Sequence, residues 1–282
     1  MMKALFISAW YLSMSDRRKK STNSNQRNRR ARPGGWDAVA AWYDGWVGKG
    51  GSHHHRKLAI PAVLDLLDPQ PGEEILDIGA GQGVLAPSIA RAGATYTGVD
   101  VSDTLLAYAR QHHGEHGRFL AADAAQLHQQ SFMHADQFDG VTFLLSIQDM
   151  DPLEDVLREA AWALKPDGRA VLLMTHPAFR VPRQSGWGFD ENRKLQYRRV
   201  DRYLTPLPVP MKQHDTGVTI SFHRPISEYI NTLAACGLLT DHMQEIPVGN
   251  DAMKRKRSKA EKLADDEFPL FMALRARKIT TG

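Results

Sequence analysis

Three carboxylates in this 282-residue chain each close a short apolar run, and the first is followed by three alternating glycines. The first stretch reads Glu74-Ile75-Leu76-Asp77-Ile78-Gly79-Ala80-Gly81-Gln82-Gly83. The second is Ala94-Thr95-Tyr96-Thr97-Gly98-Val99-Asp100, and the third Phe119-Leu120-Ala121-Ala122-Asp123. Carboxylates accept hydrogen bonds, and glycine turns let a ligand approach bare backbone. A buried strand that stops at glycines before a helical pattern, here Leu85 to Arg91, predicts the first turn of a doubly wound α/β sheet, where nucleotide-like ligands bind. An acid at the end of the next strand, Asp100, is placed to accept from two ribose hydroxyls.

The same residues narrow the nucleotide. A dinucleotide fingerprint needs glycine at the position of Val84, and a phosphate-binding loop needs Gly-Lys-Ser/Thr, which is absent. Asp77 also opposes a pyrophosphate, because unit charges about 4 Å apart repel by roughly 4 kcal/mol at an effective dielectric near 20. S-adenosylmethionine fits better, since its sulfonium and ammonium outweigh its single carboxylate. Asp100 and Asp123 could instead each cap a helix, with Ser102 and Asp103 close by.

The elements that must position these groups follow from the pattern. Phe138 to Ser146 predicts a fourth strand, and Leu164-Lys165-Pro166-Asp167-Gly168-Arg169 a helix exit and turn into a fifth, Ala170 to Thr175. Helices are predicted over 58–67 and 226–236, and two further strands over 238–246 and 268–276. Pro269 is tolerable near a strand start.

With these residues the chain resembles the class I S-adenosylmethionine-dependent methyltransferases, in the type 11 group that includes the ubiquinone and menaquinone methyltransferases, over roughly residues 36–176. The resemblance implies an α/β, Rossmann-like, seven-stranded mostly parallel sheet with an antiparallel last strand and helices on both faces. It also implies that Asp77, Gly79, Gly81 and Gly83 surround the methionine part of the cofactor. Asp100 with Val101 would hold the ribose, and Asp123 with the Ala124 amide the adenine. Residues Ser146 to Asp149, Ser146 and Gln148 among them, would close the methionine end. Tyr43 in Trp42-Tyr43-Asp44 would line the pocket from an N-terminal helix.

Residues 177–224 are the least standard part, and after a strand end that faces the cofactor they suggest a substrate cap. Arg180, Trp187, Tyr197 and Arg224 suit a planar or anionic acceptor, because guanidinium pairs with carboxylate and stacks on rings. Alternatively these residues only knit the insertion together. His176 and His223 are candidate general bases, since imidazole titrates near neutral pH. The run His53-His54-His55 cannot share one helical face and reads as no metal site.

Composition sets the remaining bounds. Residues 1–32 carry nine Lys and Arg and one acid, so the rest of the chain is net −4. A disordered basic arm over residues 1–35 is expected, joined to one domain over 36–282. The arm could contact phosphates, as could Lys254-Arg255-Lys256-Arg257, which leaves an RNA or protein methyltransferase as the alternative reading; a non-catalytic cofactor-binding protein is a third. A small-molecule acceptor is favoured by the acidic remainder and by the absence of the Asn/Asp-Pro-Pro-aromatic motif of amino-methylating DNA enzymes. The single cysteine, Cys236, excludes a disulfide framework, and no apolar run approaches the ~20 residues that span a bilayer, so a cytoplasmic location is expected.

Overall fold

The computed structural model describes residues 35–213, 217–249 and 257–279. The basic arm up to residue 34, and Lys254 to Lys256 of the second basic run, lie outside the described residues.

Strand β1 (Glu74–Ile78) is buried from Ile75 onward on both faces, as a central parallel strand must be. β2 (Thr95–Asp100), β3 (Arg118–Ala121), β4 (Phe138–Leu144) and β5 (Leu164–Thr175) complete the parallel part. Residues 177–224 contribute two hairpins, β6 (Ser185–Asp190) with β7 (Leu195–Val200) and β8 (Leu207–Gln213) with β9 (Gly217–His223). β10 (Leu238–Pro247) and β11 (Pro269–Lys278) return to the main sheet. Its order is β10-β11-β5-β4-β1-β2-β3, with β11 antiparallel to both neighbours, so the expected seven-stranded sheet with its antiparallel last strand is present.

Helices cover both faces. They are α1 (Trp36–Val47), α2 (Ile60–Leu67, entered through a π turn over His55–Ala59), α3 (Ala86–Arg91), α4 (Asp103–His113), α5 (Leu153–Ala163), α6 (Ile226–Ala235) and α7 (Lys259–Glu267). Alternation along β1 explains the two cores. Leu76 and Ile78 pack with Val156 and Leu157 of α5 and Leu233 of α6, whereas Ile75 packs with Leu66 of α2, Ile89 of α3 and Leu106 of α4. Each such side chain contributes roughly 1.5–3 kcal/mol when fully buried. The order reverses between β1 and β4, and this switch point opens a crevice at the carboxyl ends of the strands.

Three boundaries differ from the sequence pattern. β3 stops at Ala121 and β4 at Leu144, so Asp123 and Ser146 stand in the loops beyond. The phrase Lys165 to Gly168 bulges out of β5, because Leu164 pairs with Phe138 while Arg169 already pairs with Gly140.

Candidate functional site

A cavity of about 230 Å³ occupies that crevice. Trp36 and Tyr43 of α1 form one wall, and the other is made by the loops after β1, β2, β3 and β4.

The loop after β1 explains its glycines. Gly79 has φ 73°, and a Cβ added there would stand 2.5 Å from Ser146 Cβ and 2.6 Å from the Met150 methyl. The Ser146 hydroxyl donates to the Ile78 carbonyl at 2.6 Å, which locks the two loops together. Gly83 has φ 77°, and its Cβ would collide with the Phe119 ring at 2.5 Å, so this glycine closes the turn against β3 and does not line the cavity. Of the three glycines expected around a ligand, Gly79 and Gly81 reach the wall.

Five aspartates line the cavity, Asp77, Asp100, Asp123, Asp149 and Asp151, whereas no lysine or arginine does among the described residues. Asp77 is 1% exposed; its Oδ2 accepts from the Tyr96 hydroxyl at 2.7 Å, while Oδ1 has no partner. Burial pushes its carboxyl up to about 7, against the opposing pull of the Tyr96 bond. Asp100 accepts from Gly81 N and Ser102 N, both at 2.9 Å, and burial raises its pKa too. It is not the helix cap; Ser102 is, accepting from Leu105 N at 3.1 Å while donating to Asp37 at 2.6 Å. Each Asp100 oxygen keeps a further lone pair for a ligand hydroxyl. Asp123 accepts from Ala125 N at 2.9 Å and lines the cavity beside Ala124, so turn formation and a place in the wall coexist. Val101 lines it as well, although 67% exposed.

Other predicted residues lie elsewhere. Gln148 is absent from the wall, with its amide donating to the Leu145 carbonyl at 2.5 Å, and its neighbour Asp149 takes the place. His176 is also outside the wall: its Nε2 meets Glu245 Oε1 at 2.7 Å, its Nδ1 accepts from Ala178 N at 3.2 Å, and burial lowers its pKa. His223 points to the Tyr203 carbonyl at 2.7 Å. Neither is placed to serve the cavity as a base. Arg180, Trp187 and Tyr197 do not line it either, and Arg224 only touches its rim, donating to the Met150 carbonyl at 2.9 Å and to Asp151 at 2.7 Å. Tyr43 does line it; burial first, then the charge of Asp149, drives its hydroxyl pKa far upward.

His55, passed over in the sequence, is in the wall. It is 3% exposed, its Nδ1 lies 2.8 Å from the Ser52 hydroxyl, and burial pushes its pKa down to about 4. It stands in the π turn over His55–Ala59, which no residue pattern signalled. Gln82 and Trp36, also unmarked, line the wall as well.

Residues 76–172 match the methyltransferase domain of type 11. Over that third of its length the chain is similar to a type 11 methyltransferase domain. A ubiquinone biosynthesis O-methyltransferase from Actinobacillus pleuropneumoniae serotype 5b is 34% identical over 141 residues, covering 46% of this chain and 57% of that protein. One from Sodalis glossinidius is 34% identical over 134 residues, covering 47% and 54%. The chain thus spans little more than half the length of these curated relatives. The S-adenosylmethionine dependent methyltransferase of Mesorhizobium loti superposes with a TM-score of 0.66 at 25% identity, covering 82% of this chain and 100% of that one. The matched stretch runs from β1 into β5 and holds every loop of the wall except α1 and the π turn.

Proposed function

We infer that the protein binds S-adenosylmethionine in this cavity and transfers its methyl group to an oxygen or nitrogen of a small-molecule acceptor. One observation carries this reading: the charged side chains of the wall are five aspartates, and one of them, Asp77, keeps a buried oxygen without a partner. A buried acceptor left unsatisfied costs about 1–3 kcal/mol, a cost that a donor bound beside it removes. The sulfonium cofactor's ammonium is such a donor, and a pyrophosphate is not.

When bound, the cofactor supplies an electrophilic methyl carbon on a positively charged sulfur. Asp77 and the Gly79 and Gly81 backbone hold its methionine end, Asp100 its ribose and Asp123 with Ala124 its adenine. Tyr43, Leu145 and Met150 exclude water from the reacting centre and align the acceptor, and alignment alone can contribute roughly 7–11 kcal/mol to the barrier reduction. The hairpin β8–β9 serves as the acceptor's cap. Support comes from its Ser221 hydroxyl, which bonds to Asp149, and from Arg224, which anchors it on the rim.

Calorimetry tests this directly. The full chain should bind S-adenosylmethionine and S-adenosylhomocysteine, and Asp100→Ala should weaken both at least 100-fold. Uptake of a nicotinamide or flavin dinucleotide in their place would overturn the reading.

A further inference from the structure

We propose that the acceptor is an amine and that Asp149 is the base that receives its proton. This rests on the methyl-transfer reading above and names the substrate class of the same site. The five-aspartate wall holds no lysine or arginine among the described residues. Its one imidazole, His55, is kept neutral near pH 7 by burial. A cofactor with one net positive charge leaves that wall negative even with Asp77 and Asp149 half protonated near pH 7 and Asp151 paired with Arg224. A phenolate or carboxylate acceptor would meet like charge in a poorly screened site, whereas an ammonium meets opposite charge and the Tyr43 ring.

Four of the five carboxylates have other work. Asp77 is tied to Tyr96, Asp100 to two backbone amides, Asp123 to the Ala125 amide and Asp151 to Arg224. Asp149 differs in position and partners. It follows Ser146 on the loop that packs on Gly79 at the methionine end, and it is bonded by neutral side chains, Ser221 of β9 and Gln148. Asp149 and Asp151 are thus the lining acids at which this loop and the insertion meet, and only Asp149 is bonded there by neutral side chains alone. The titratable groups that feel its charge are Tyr43 of α1 and Tyr229 of α6, both pushed upward, with the Asp151–Arg224 pair beside it. None of these takes up a proton near neutral pH; Asp77, in the same wall and also pushed up to about 7, is tied to the Tyr96 hydroxyl. Burial pushes the Asp149 carboxyl up to about 7, a value suited to accepting and releasing a proton there.

The step balances simply. The acceptor ammonium gives one proton to an Asp149 oxygen; the freed nitrogen lone pair forms the bond to the methyl carbon as the carbon–sulfur bond breaks. That bonding pair stays on sulfur, which becomes a neutral thioether. Asp149 then returns its proton to solvent.

Tyramine offers an amine and a phenol on one scaffold, and 4-hydroxyphenylacetate replaces the amine by a carboxylate. By calorimetry on the full chain saturated with S-adenosylhomocysteine, tyramine should bind at least tenfold more tightly than 4-hydroxyphenylacetate. Asp149→Asn should remove that preference while still binding S-adenosylhomocysteine. With S-adenosylmethionine, mass spectrometry should place the methyl on nitrogen. The same variant should then lose at least 100-fold in kcat and the acid limb of kcat/KM near pH 7. Tighter binding of the anion, no binding of tyramine, methylation of the phenol oxygen, or an Asp149→Asn variant within threefold of wild type would each overturn the proposal. Failure to bind S-adenosylhomocysteine at all would instead sink the cofactor reading.

Discussion

Asp77 and Arg180 are both charged and almost fully buried, at 1% and 8% exposure, yet only one of them has a vacancy. Asp77, at the end of β1, has an oxygen with no partner and faces the cavity. Arg180, at the start of the insertion, donates to the Pro269 carbonyl at 3.1 Å and to the Phe268 carbonyl at 3.3 Å, and lies over the Trp187 ring. The contrast extends to their surroundings. Acids of the strand-end loops bond to backbone and keep lone pairs free, whereas the Arg and aromatic residues of hairpin β6–β7 bond to one another and to the sheet: Arg198 donates to the Phe179 carbonyl at 2.6 Å and to Ser185 at 2.9 Å, and stacks on Trp187 from 5.0 Å. Residue type alone does not distinguish the two regions. What separates them is whether the fold leaves hydrogen-bonding capacity unspent.

The strongest way to break this comparison is at Asp77. Its folded-state value, about 7, lies above the ordinary carboxylate value, so the proton it retains stabilises the fold fully below about pH 4. That stabilisation is lost as the pH rises toward 7, by roughly 4 kcal/mol over the interval at about 1.4 kcal/mol per unit. Asp77→Asn cannot titrate, so wild type should lose stability relative to the variant between pH 4 and pH 7. His54 and His55, both pushed down to about 4, act in the opposite sense, but they are common to both proteins and cancel in the difference. Urea unfolding at pH 4, 5.5 and 7 measures it, and parallel curves for the two proteins would show that Asp77 is not a buried, strained acid.

A second contrast pairs two glycines. Gly79→Ala forces a left-handed backbone and a 2.5 Å approach to Ser146, and should weaken S-adenosylmethionine binding about 100-fold, with about 1–3 kcal/mol lost from the fold. Gly186→Ala, in β6, meets nothing nearer than the Arg199 guanidinium at 4.0 Å and should leave the affinity unchanged. Equal effects in calorimetry would mean that the insertion is part of the cofactor site.

These cases also explain what the amino-acid sequence can and cannot convey. That Asp77, Gly79, Asp100 and Asp123 line one cavity was legible because a strand, its glycine turn and its terminal acid are neighbours in the chain. His176 was misread as a base because its partner, Glu245, stands 69 residues away on β10 and is brought to it only by the sheet. Arg180 was assigned to substrate for a similar reason: the carbonyls that hold it belong to the start of β11. His55 went unmarked, and Asp149 entered only as the end of the segment Ser146 to Asp149, since what distinguishes Asp149 is its bond to Ser221 of β9, far away in the chain. Local patterns thus reported the strand-end side of the cavity, and long-range packing decided the rest.

The smallest expected effect lies at Trp187. Its ring is flanked by the Arg180 and Arg198 guanidinium groups and meets Phe268 edge-on at 5.4 Å, but it is 40% exposed. Each cation–ring contact at such a site contributes about 0.5–1 kcal/mol, and the ring pair a comparable amount. Trp187→Ala should therefore lower the unfolding free energy by about 1–2 kcal/mol and leave the affinity for S-adenosylhomocysteine unchanged. A fall in affinity without a fall in stability would reverse the assignment of hairpin β6–β7, because a ring that only braces the insertion cannot be felt at the cavity while the brace itself holds.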